Sequence, residues 1–165
     1  MVVPPVEAVQ SILSQVMDPE IPVMSVLDMG IIREVRWDEA EGALHIEITP
    51  TYSGCPAMKV IEDDVTSALM KAGFPRVLTH RRYSPPWTTD WMSSEGKEKL
   101  RAYGIAPPGL AAESLVGINQ KRKKVACPFC RSEKTELRSE FGATACKSFY
   151  YCAECCQPFE FFKPI

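Results

Sequence analysis

Cysteine is the residue type in this chain whose number and spacing point most directly to chemistry. The sequence contains seven cysteines, and four of them form two C-x-x-C pairs near the C-terminus, Cys127 with Cys130 and Cys152 with Cys155. Two such pairs can present four thiolates in a tetrahedron, which is the usual ligand set of structural zinc. Four thiolates also suit iron or an iron–sulfur cluster, so the sequence predicts a metal site and leaves its native metal open.

Two further cysteines lie in the same C-terminal region. Cys146 is interpreted either as a strand residue that faces inward or as an extra ligand or redox partner, and Cys156 as a neighbour of the pairs without a role. The segments TELRSEF, SFYYC and PFEFF are typical of short strands. A tail of about 40 residues buries too little apolar surface to fold alone, so we expect a zinc ribbon whose metal supplies much of the folding energy.

The remaining cysteine, Cys55, stands alone in the segment TPTYSGCPAM, where a strand is predicted to end and a helix to begin. The unpaired N–H groups and the positive end of the helix dipole would shift a thiol there toward thiolate, and so toward nucleophilic attack or metal binding. The small neighbours Ser53 and Gly54 are expected to leave the sulfur accessible. The alternative is an ordinary buried cysteine that fills a corner of the core.

A cysteine nucleophile needs a base, usually a histidine held by a carboxylate or an amide. The chain has two histidines, His45 and His80, and both are interpreted as surface residues of predicted strands. His45 lies ten residues before Cys55, near the far end of the strand that leads to it. The sequence therefore supports Cys–His catalysis only weakly.

A proline-containing loop, DPEIPVMSVLDMG, supplies three carboxylates, from Asp18, Glu20 and Asp28. One interpretation is structural, with the carboxylates as caps and turn residues and Gly30 allowing a tight turn into the next strand. The other is that this rigid loop meets Cys55 in space and helps to hold a transient metal ion or cluster.

Hydrophobic periodicity predicts the elements that position these residues. The order helix, strand, strand, helix, strand indicates a small α+β domain in which the first two strands form a hairpin with one buried face. The predicted elements are helices over 5–16 and 56–73 and strands over 31–37, 43–49 and 76–83.

Composition shifts along the chain predict the segments that come after this domain. A Pro/Trp-rich arm is expected to pack on the core and to contain a short helix over 93–103, and a polar linker then leads to the β zinc ribbon. The predicted boundaries are 1–83 for the α+β domain, 84–110 for the arm, 111–124 for the linker and 125–165 for the ribbon.

Bulk composition excludes several classes of partner. The chain is 45% hydrophobic and 24% charged, as soluble globular proteins are, and its net charge of −2 provides no general attraction to nucleic acid or lipid. There is no apolar run of the roughly 20 residues that cross a bilayer, and no secretion signal is recognised. With many cysteines and no secretion signal, the expected location is the cytoplasm.

Two groups of motifs resemble a known family. DPEIPVMSVLDMGIIREV followed by TPTYSGCPAM resembles the small domain of the iron–sulfur assembly proteins that include SufT. PPWTTDWMSSEGKEKLRAYGIAPP and SEFGATACKSFYYC resemble the PaaD branch, small accessory proteins of bacterial phenylacetyl-coenzyme A oxygenase (epoxidase) systems. The likeness covers nearly the whole chain.

The resemblance implies a role in maturing iron–sulfur or iron centres rather than in oxygenation. It implies oxygenase components as partners, above all the iron–sulfur reductase, together with the iron–sulfur assembly machinery. Carried over residue by residue, it makes Cys55 the reactive thiol or transient metal ligand and strengthens the case for Cys146. The other matched positions are Asp18, Pro19, Glu20, Asp28 and Gly30 in the loop and Cys127, Cys130, Cys152 and Cys155 in the ribbon.

Four functions are thus compared. An assembly factor without turnover of its own, carrying structural Zn²⁺ and a transient iron or iron–sulfur cargo, comes first. A non-catalytic structural subunit of the oxygenase and a thiol-dependent enzyme acting on coenzyme A thioesters are the next two, and a zinc-ribbon regulator of nucleic acid comes last because a basic face is missing. Free hairpin edges are also compatible with a homodimer.

Overall fold

The computed structural model describes residues 4–109 and 124–165. The predicted linker, 111–124, lies outside the described residues except for Lys124. The chain divides into two compact units. The first comprises residues 4–87 and 91–93, and the second comprises residues 88–90, 94–109 and 124–165.

The described elements follow the predicted order, and the predicted α+β class with a C-terminal β-ribbon is confirmed. The first two helices are shorter than the periodic patterns suggested. The second begins only at Met58, after a turn in which the Met58 N–H bonds the Cys55 carbonyl at 3.3 Å. The elements are α1 Glu7–Leu13, β1 Ile32–Asp38, β2 Ala43–Ile48, α2 Met58–Lys71, β3 Val77–Arg81, a 3₁₀ turn Thr89–Trp91, α3 Ser94–Tyr103, β4 Ile105–Ala106, β5 Thr135–Ser139, β6 Lys147–Cys152 and β7 Pro158–Phe162.

The first unit contains a three-stranded sheet in the order β1-β2-β3. Strands β1 and β2 form the predicted antiparallel hairpin, and β3 pairs parallel to β2 after the chain has passed through α2. On β2, Leu44, Ile46 and Ile48 are fully buried, while His45 and Glu47 lie on the opposite, polar face. The core of this unit therefore lies on one side of the sheet, with the buried residues of α1 and α2.

The second unit is built on a four-stranded sheet in the order β4-β7-β6-β5. Strands β5, β6 and β7 form an antiparallel meander, and β4 adds to β7 in parallel. Ala106 of β4 shares a small buried cluster with Cys127, Cys152 and Phe159. Strand β4, which lies within the segment predicted as the arm, thus adds to the sheet and the core of the ribbon.

The helices of residues 4–109 and 124–165 are short. Not one of them has the length and the apolar character that crossing a membrane requires.

Candidate functional site

Cys55 lies in the connection between the end of β2 and the start of α2. Its N–H bonds the carbonyl of Tyr52 at 3.1 Å, which closes a turn on the N-terminal side of the thiol. The thiol is half-buried, while Ser53 and Gly54 beside it are exposed, and a Cβ added at Gly54 would have no neighbour within 4 Å. The sulfur is therefore approachable from solvent.

The surroundings of Cys55 raise the pKa of its thiol, which is opposite to the shift predicted from the sequence. Burial is the largest cause, and the negative charges of Glu20 and Asp18 add to it. Hydrogen bonds from the backbone of Ala57 and the side chain of Thr51 act in the lowering direction but are outweighed. Because α2 begins only at Met58, Cys55 lies outside the first turn, where the helix dipole acts most strongly.

The carboxylate of Asp18 organises the loop that approaches this thiol. Its Oδ1 accepts hydrogen bonds from the N–H groups of Glu20 and Ile21 at 2.7 and 2.8 Å, and its own N–H bonds the Met24 carbonyl at 2.7 Å. The side chain is 7% exposed. Asp18 therefore combines the two roles considered for the loop carboxylates. It holds the turn by hydrogen bonds, and its negative charge also acts on the Cys55 thiol.

Asp28, the third predicted carboxylate, is committed to holding the other end of the loop. Its Oδ2 accepts hydrogen bonds from the N–H and the hydroxyl of Ser25, at 3.0 and 2.8 Å. Its Oδ1 accepts one from the Ser93 hydroxyl at 3.0 Å. These hydrogen bonds are those of a structural residue that helps to hold the loop in its conformation.

The predicted packing of the Trp-rich arm is seen within the first unit. The indole N–H of Trp87 donates to the Met29 carbonyl at 2.9 Å, and the Arg33 guanidinium lies 3.7 Å above the ring of Trp91. Gly30 has φ +65°, and a Cβ there would stand 2.2 Å from the Trp91 carbonyl oxygen. Only glycine fits this close approach, so the arm and the loop are matched surfaces.

The two histidines pair with each other and form no dyad with Cys55. His45 Nδ1 and His80 Nε2 are 2.9 Å apart across β2 and β3. His80 is exposed as predicted, but the side chain of His45 is only 13% exposed, so its interpretation as a surface residue was wrong. Sequence spacing gave no signal of this pair, because the parallel register of β3 brings the two rings together.

The four predicted ribbon ligands do converge in the second unit. The Sγ atoms of Cys127, Cys130, Cys152 and Cys155 all lie within 4.8 Å of one another. Two of the contacts are 3.7 Å, between Cys127 and Cys155, and 3.5 Å, between Cys130 and Cys152. Sulfurs at 2.3 Å around a tetrahedral zinc ion are separated by about 3.8 Å, so these side chains fit such an ion with little movement.

The two C-x-x-C turns share one backbone geometry. The Cys127 N–H bonds the Ser132 carbonyl, and the Cys152 N–H bonds the Gln157 carbonyl, both at 3.0 Å. The residue after each pair adopts a left-handed conformation, with φ +64° at Arg131 and +56° at Cys156. Such paired turns aim N–H groups at the sulfurs, as metal-bound thiolates require.

Electrostatics within this cluster differ from one thiol to the next. The backbone N–H groups of Cys155 and Glu154 lower the pKa of Cys152 to about 7. Burial and the neighbouring thiols raise the pKa of Cys155 to about 12. Four thiolates this close repel one another, so full ionisation of the set needs a cation.

Neither of the remaining two cysteines joins the group of four. Cys146 is 6% exposed, and its sulfur lies 3.0 Å from the Thr144 hydroxyl. Cys156 is exposed, and a hydrogen bond to it raises the pKa of the Tyr151 hydroxyl. Within the described residues, the sulfurs that converge near the two turns are those four, and Cys146 is not among them.

Comparisons with known proteins agree with this division into two units. Residues 6–74 match the family model described as "Iron-sulfur cluster assembly protein", and residues 111–163 match the one described as "PaaD zinc beta ribbon domain". Both halves of the family resemblance are thereby confirmed.

Three bacterial relatives are similar to this chain. A protein of Escherichia coli, provisionally named as a subunit of 1,2-phenylacetyl-CoA epoxidase, is 44% identical over 162 residues, covering 98% of this chain and 94% of that protein. The iron–sulfur protein maturation auxiliary factor YitW of Bacillus subtilis is 39% identical, covering 57% of this chain and 91% of its own. The corresponding factor SufT of Staphylococcus aureus is 34% identical over 88 residues, covering 52% of this chain and 96% of its own.

Two solved structures align with part of this chain. A domain of unknown function from Bacillus anthracis aligns with a TM-score of 0.52 at 28% identity, covering 57% of this chain and 89% of that chain. A conserved hypothetical protein from Thermotoga maritima aligns with a TM-score of 0.51 at 28% identity, covering 61% of this chain and 98% of its own.

Proposed function

Because the chain belongs to the PaaD family, with an iron–sulfur cluster assembly domain ahead of a zinc β-ribbon, we propose that it is an accessory factor that helps to assemble iron–sulfur or iron centres. Its place is in a phenylacetyl-CoA oxygenase system, as the name of the Escherichia coli relative suggests. Its partners are oxygenase components, above all an iron–sulfur reductase as client, and the cell's iron–sulfur assembly machinery. It has no turnover of its own.

The observation that carries this proposal is the electrostatic setting of Cys55. Burial, together with the negative charges of Glu20 and Asp18, raises the pKa of Cys55 and disfavours a bare thiolate, so the thiol is a poor nucleophile at neutral pH. The same negative charges favour a cation beside the sulfur. A half-buried thiol that interacts with two carboxylates is therefore suited to holding an iron ion or cluster as cargo rather than to attacking a substrate.

The exchange chemistry follows from this setting. When the iron of the cargo binds, the Cys55 thiol releases its proton to water and a sulfur–iron bond forms. When a cysteine thiolate of the client takes the iron, the bond to Cys55 breaks and the sulfur takes up a proton again. The raised pKa of Cys55 favours that last step, because it makes the protonated thiol the stable product.

A thiol-dependent enzyme on coenzyme A thioesters receives less support. The hydrogen bonds that act on the Cys55 thiol come from Thr51 and the backbone of Ala57, and neither group is a base. His45 and His80 are engaged with each other.

The ribbon has a separate, structural part in the proposal. Cys127, Cys130, Cys152 and Cys155 would hold Zn²⁺, which would supply the cross-link that a small sheet needs to fold. Five thiols kept reduced, these four and Cys55, suit the cytoplasm, and the proposal places the protein there.

The test is to measure the iron–sulfur cluster occupancy of the client reductase in cells that carry variants of this protein. Cys55→Ser is expected to lower the iron and acid-labile sulfide bound per reductase, whereas the matched variant Cys156→Ser, which removes an exposed thiol, leaves both unchanged. Full occupancy with Cys55→Ser would remove Cys55 from the mechanism.

The second candidate is a structural subunit of the oxygenase. Exposed aromatic side chains of the second unit favour it, since Phe129 is 56% and Phe141 67% exposed. It predicts stable co-purification with the oxygenase, unaltered by Cys55→Ser and lost with Phe129→Ser or Phe141→Ser.

A further inference from the structure

A second group of metal-ligating side chains lies in the first unit, at the turn that joins β1 and β2. One ligand atom each from Asp38, Glu41 and His45 lies within 4.8 Å of the other two. Asp38 and His45 belong to the paired strands, and Glu41 belongs to the turn between them. The hairpin therefore places two carboxylates and an imidazole around one point.

One nitrogen of this group, Nε2 of His45, is buried and has no hydrogen-bond partner among the described residues. Glu41 Oε2 lies 3.4 Å from this nitrogen, within the distance of an ion pair. A buried ring nitrogen without a hydrogen bond is costly, so its site calls for a further ligand.

The other nitrogen of the ring determines which form His45 takes. Its Nδ1 lies 2.9 Å from His80 Nε2, the ring planes differ by 8°, and the centroids are 5.2 Å apart. The two rings are thus nearly coplanar and meet at these nitrogens, which share one proton in a hydrogen bond. When His45 Nδ1 donates that proton to His80, the lone pair of His45 Nε2 is left pointing toward the carboxylates, as for a metal-bound imidazole oriented by a neighbour.

The carboxylates are also held in place and carry excess negative charge. Asp38 Oδ1 accepts hydrogen bonds from the N–H groups of Ala40 and Glu41 at 3.0 and 3.1 Å, which orients the group. Its Oδ2 accepts a bond from Arg36 at 2.8 Å. The carboxylates of Glu34, Asp38 and Glu41 all interact with the guanidinium of Arg36, so negative charge exceeds positive charge around this one cation.

We propose that Asp38, Glu41 and His45 form a binding site for a divalent transition-metal ion of the Fe²⁺ or Mn²⁺ type, with His80 as the positioning residue that orients His45. The Glu41–His45 contact of 3.4 Å is already close to the separation of two ligands on one ion, about 3 Å. Asp38 completes the set when the half-exposed Arg36 side chain turns away. Mixed carboxylate and imidazole ligands suit these ions, in contrast to the four thiolates of the ribbon.

The proposal rests on the first unit alone and is independent of the role given to Cys55. A proton competes with the metal ion for Nε2 of His45. With both ring nitrogens protonated, His45 would form an ion pair with Glu41 and would have no lone pair for a metal. The two states differ in whether Mn²⁺ binds and in whether Nε2 carries a proton.

The test is a titration of the full chain with Mn²⁺ after the ribbon has been loaded with Zn²⁺, followed by the electron paramagnetic resonance signal of free Mn²⁺. One Mn²⁺ is expected to bind per chain. His45→Gln and Glu41→Gln should abolish this binding, while His80→Gln should weaken it about tenfold, as loss of an orienting partner does. Because Glu41 has an exposed side chain, its variant is expected to stay folded even if His45→Gln does not.

Two control variants and one spectroscopic readout complete the experiment. Asp63→Asn removes an exposed carboxylate of α2 and Glu7→Gln removes one of α1, and both should bind Mn²⁺ like the parent chain. In nuclear magnetic resonance spectra, the His45 ring signals should broaden before those of any other side chain. Absence of binding, binding that survives Glu41→Gln, or a His45 ring that stays protonated on both nitrogens in the presence of Mn²⁺ would each overturn the proposal.

Discussion

Asp28 and Ser93, 65 residues apart in the chain, are joined by two hydrogen bonds of 3.0 Å. The Ser93 hydroxyl donates to Asp28 Oδ1, and the Ser93 N–H donates to the Asp28 carbonyl. The loop that contains Asp18 and Glu20 is thus held in place by hydrogen bonds to the segment that follows the sheet. The shape of the candidate site therefore depends on residues that do not touch the thiol.

This relationship predicts a measurable loss of stability in Ser93→Ala. Removing the hydroxyl leaves a buried carboxylate with one partner fewer, which costs about 1–3 kcal/mol. Urea unfolding followed by tryptophan fluorescence should show the decrease, while Ser53→Ala, at an exposed position, should unfold like the parent chain. Equal stabilities of the two variants would show that this bond is not needed.

Alanine substitutions at three glycines should distinguish the cost of backbone strain from that of steric overlap in the free energy of unfolding. Gly30→Ala combines φ +65° with a Cβ 2.2 Å from the Trp91 carbonyl oxygen, so it should lower the free energy of unfolding the most, by about 3 kcal/mol or more. Gly42→Ala has φ +59° and open space, so it should cost about 1 kcal/mol. Gly54→Ala has neither problem and should cost little. The order is checked by chemical denaturation, and any other order contradicts the described packing of the arm.

The carboxylate of Glu20 should add to the effect of burial on the titration of the Cys55 thiol. Glu20→Gln removes a negative charge that disfavours the thiolate, so the pKa of Cys55 should fall and its alkylation by iodoacetamide at a fixed, mildly alkaline pH should accelerate severalfold. The rate is measured by mass spectrometry of the Cys55 peptide, in a chain that carries Cys156→Ser and a metal-loaded ribbon. Glu7→Gln, at an exposed position of α1, serves as the control and should leave the rate unchanged. A pKa of Cys55 below that of an ordinary thiol would restore the helix-dipole interpretation.

Metal content should distinguish the ribbon ligands from their neighbours. Cys127→Ser is expected to lose the bound metal, whereas Cys146→Ser and Cys156→Ser keep one ion per chain, because only the first sulfur belongs to the group of four. Elemental analysis of purified protein measures this directly. Removal of the metal by a chelator should unfold the second unit and leave the first folded, as amide exchange can show. Loss of metal in Cys146→Ser would make that thiol a ligand after all.

An ion pair between the buried Lys147 and Glu160 stabilises the loop of the second unit that contains Cys146. Lys147 is 4% exposed and its ammonium lies 2.7 Å from Glu160 Oε2, while Glu160 Oε1 accepts the Ala143 N–H at 2.7 Å. Glu160→Gln leaves a buried charge without its counter-ion and should cost about 3–5 kcal/mol. Glu136→Gln breaks the exposed pair with Arg138 and should have almost no effect on thermal unfolding. Similar melting temperatures for the two variants would contradict this assignment.

Local patterns predicted the parts of this protein that depend on nearby residues. The helix and strand order, the hairpin and the C-x-x-C pairs follow from periodicities and spacings a few residues long, and the structure confirms them. A tetrahedral thiolate site needs little more than two correctly spaced pairs, because each pair is shaped by its own turn. Cys55, too, could be selected from its position at the end of a strand.

The surroundings of these residues depended on tertiary structure. The pKa of Cys55 is governed by burial and by loop carboxylates more than 30 residues earlier, so the local helix argument predicted the wrong direction. His45 and His80 meet only because β3 returns parallel to β2 in one particular register. Burial and electrostatic fields sum over everything nearby in space, and spacing along the chain does not contain that sum. The residue types could thus be read from the sequence, while their protonation, their partners and the site at the β1–β2 turn were decided by the fold.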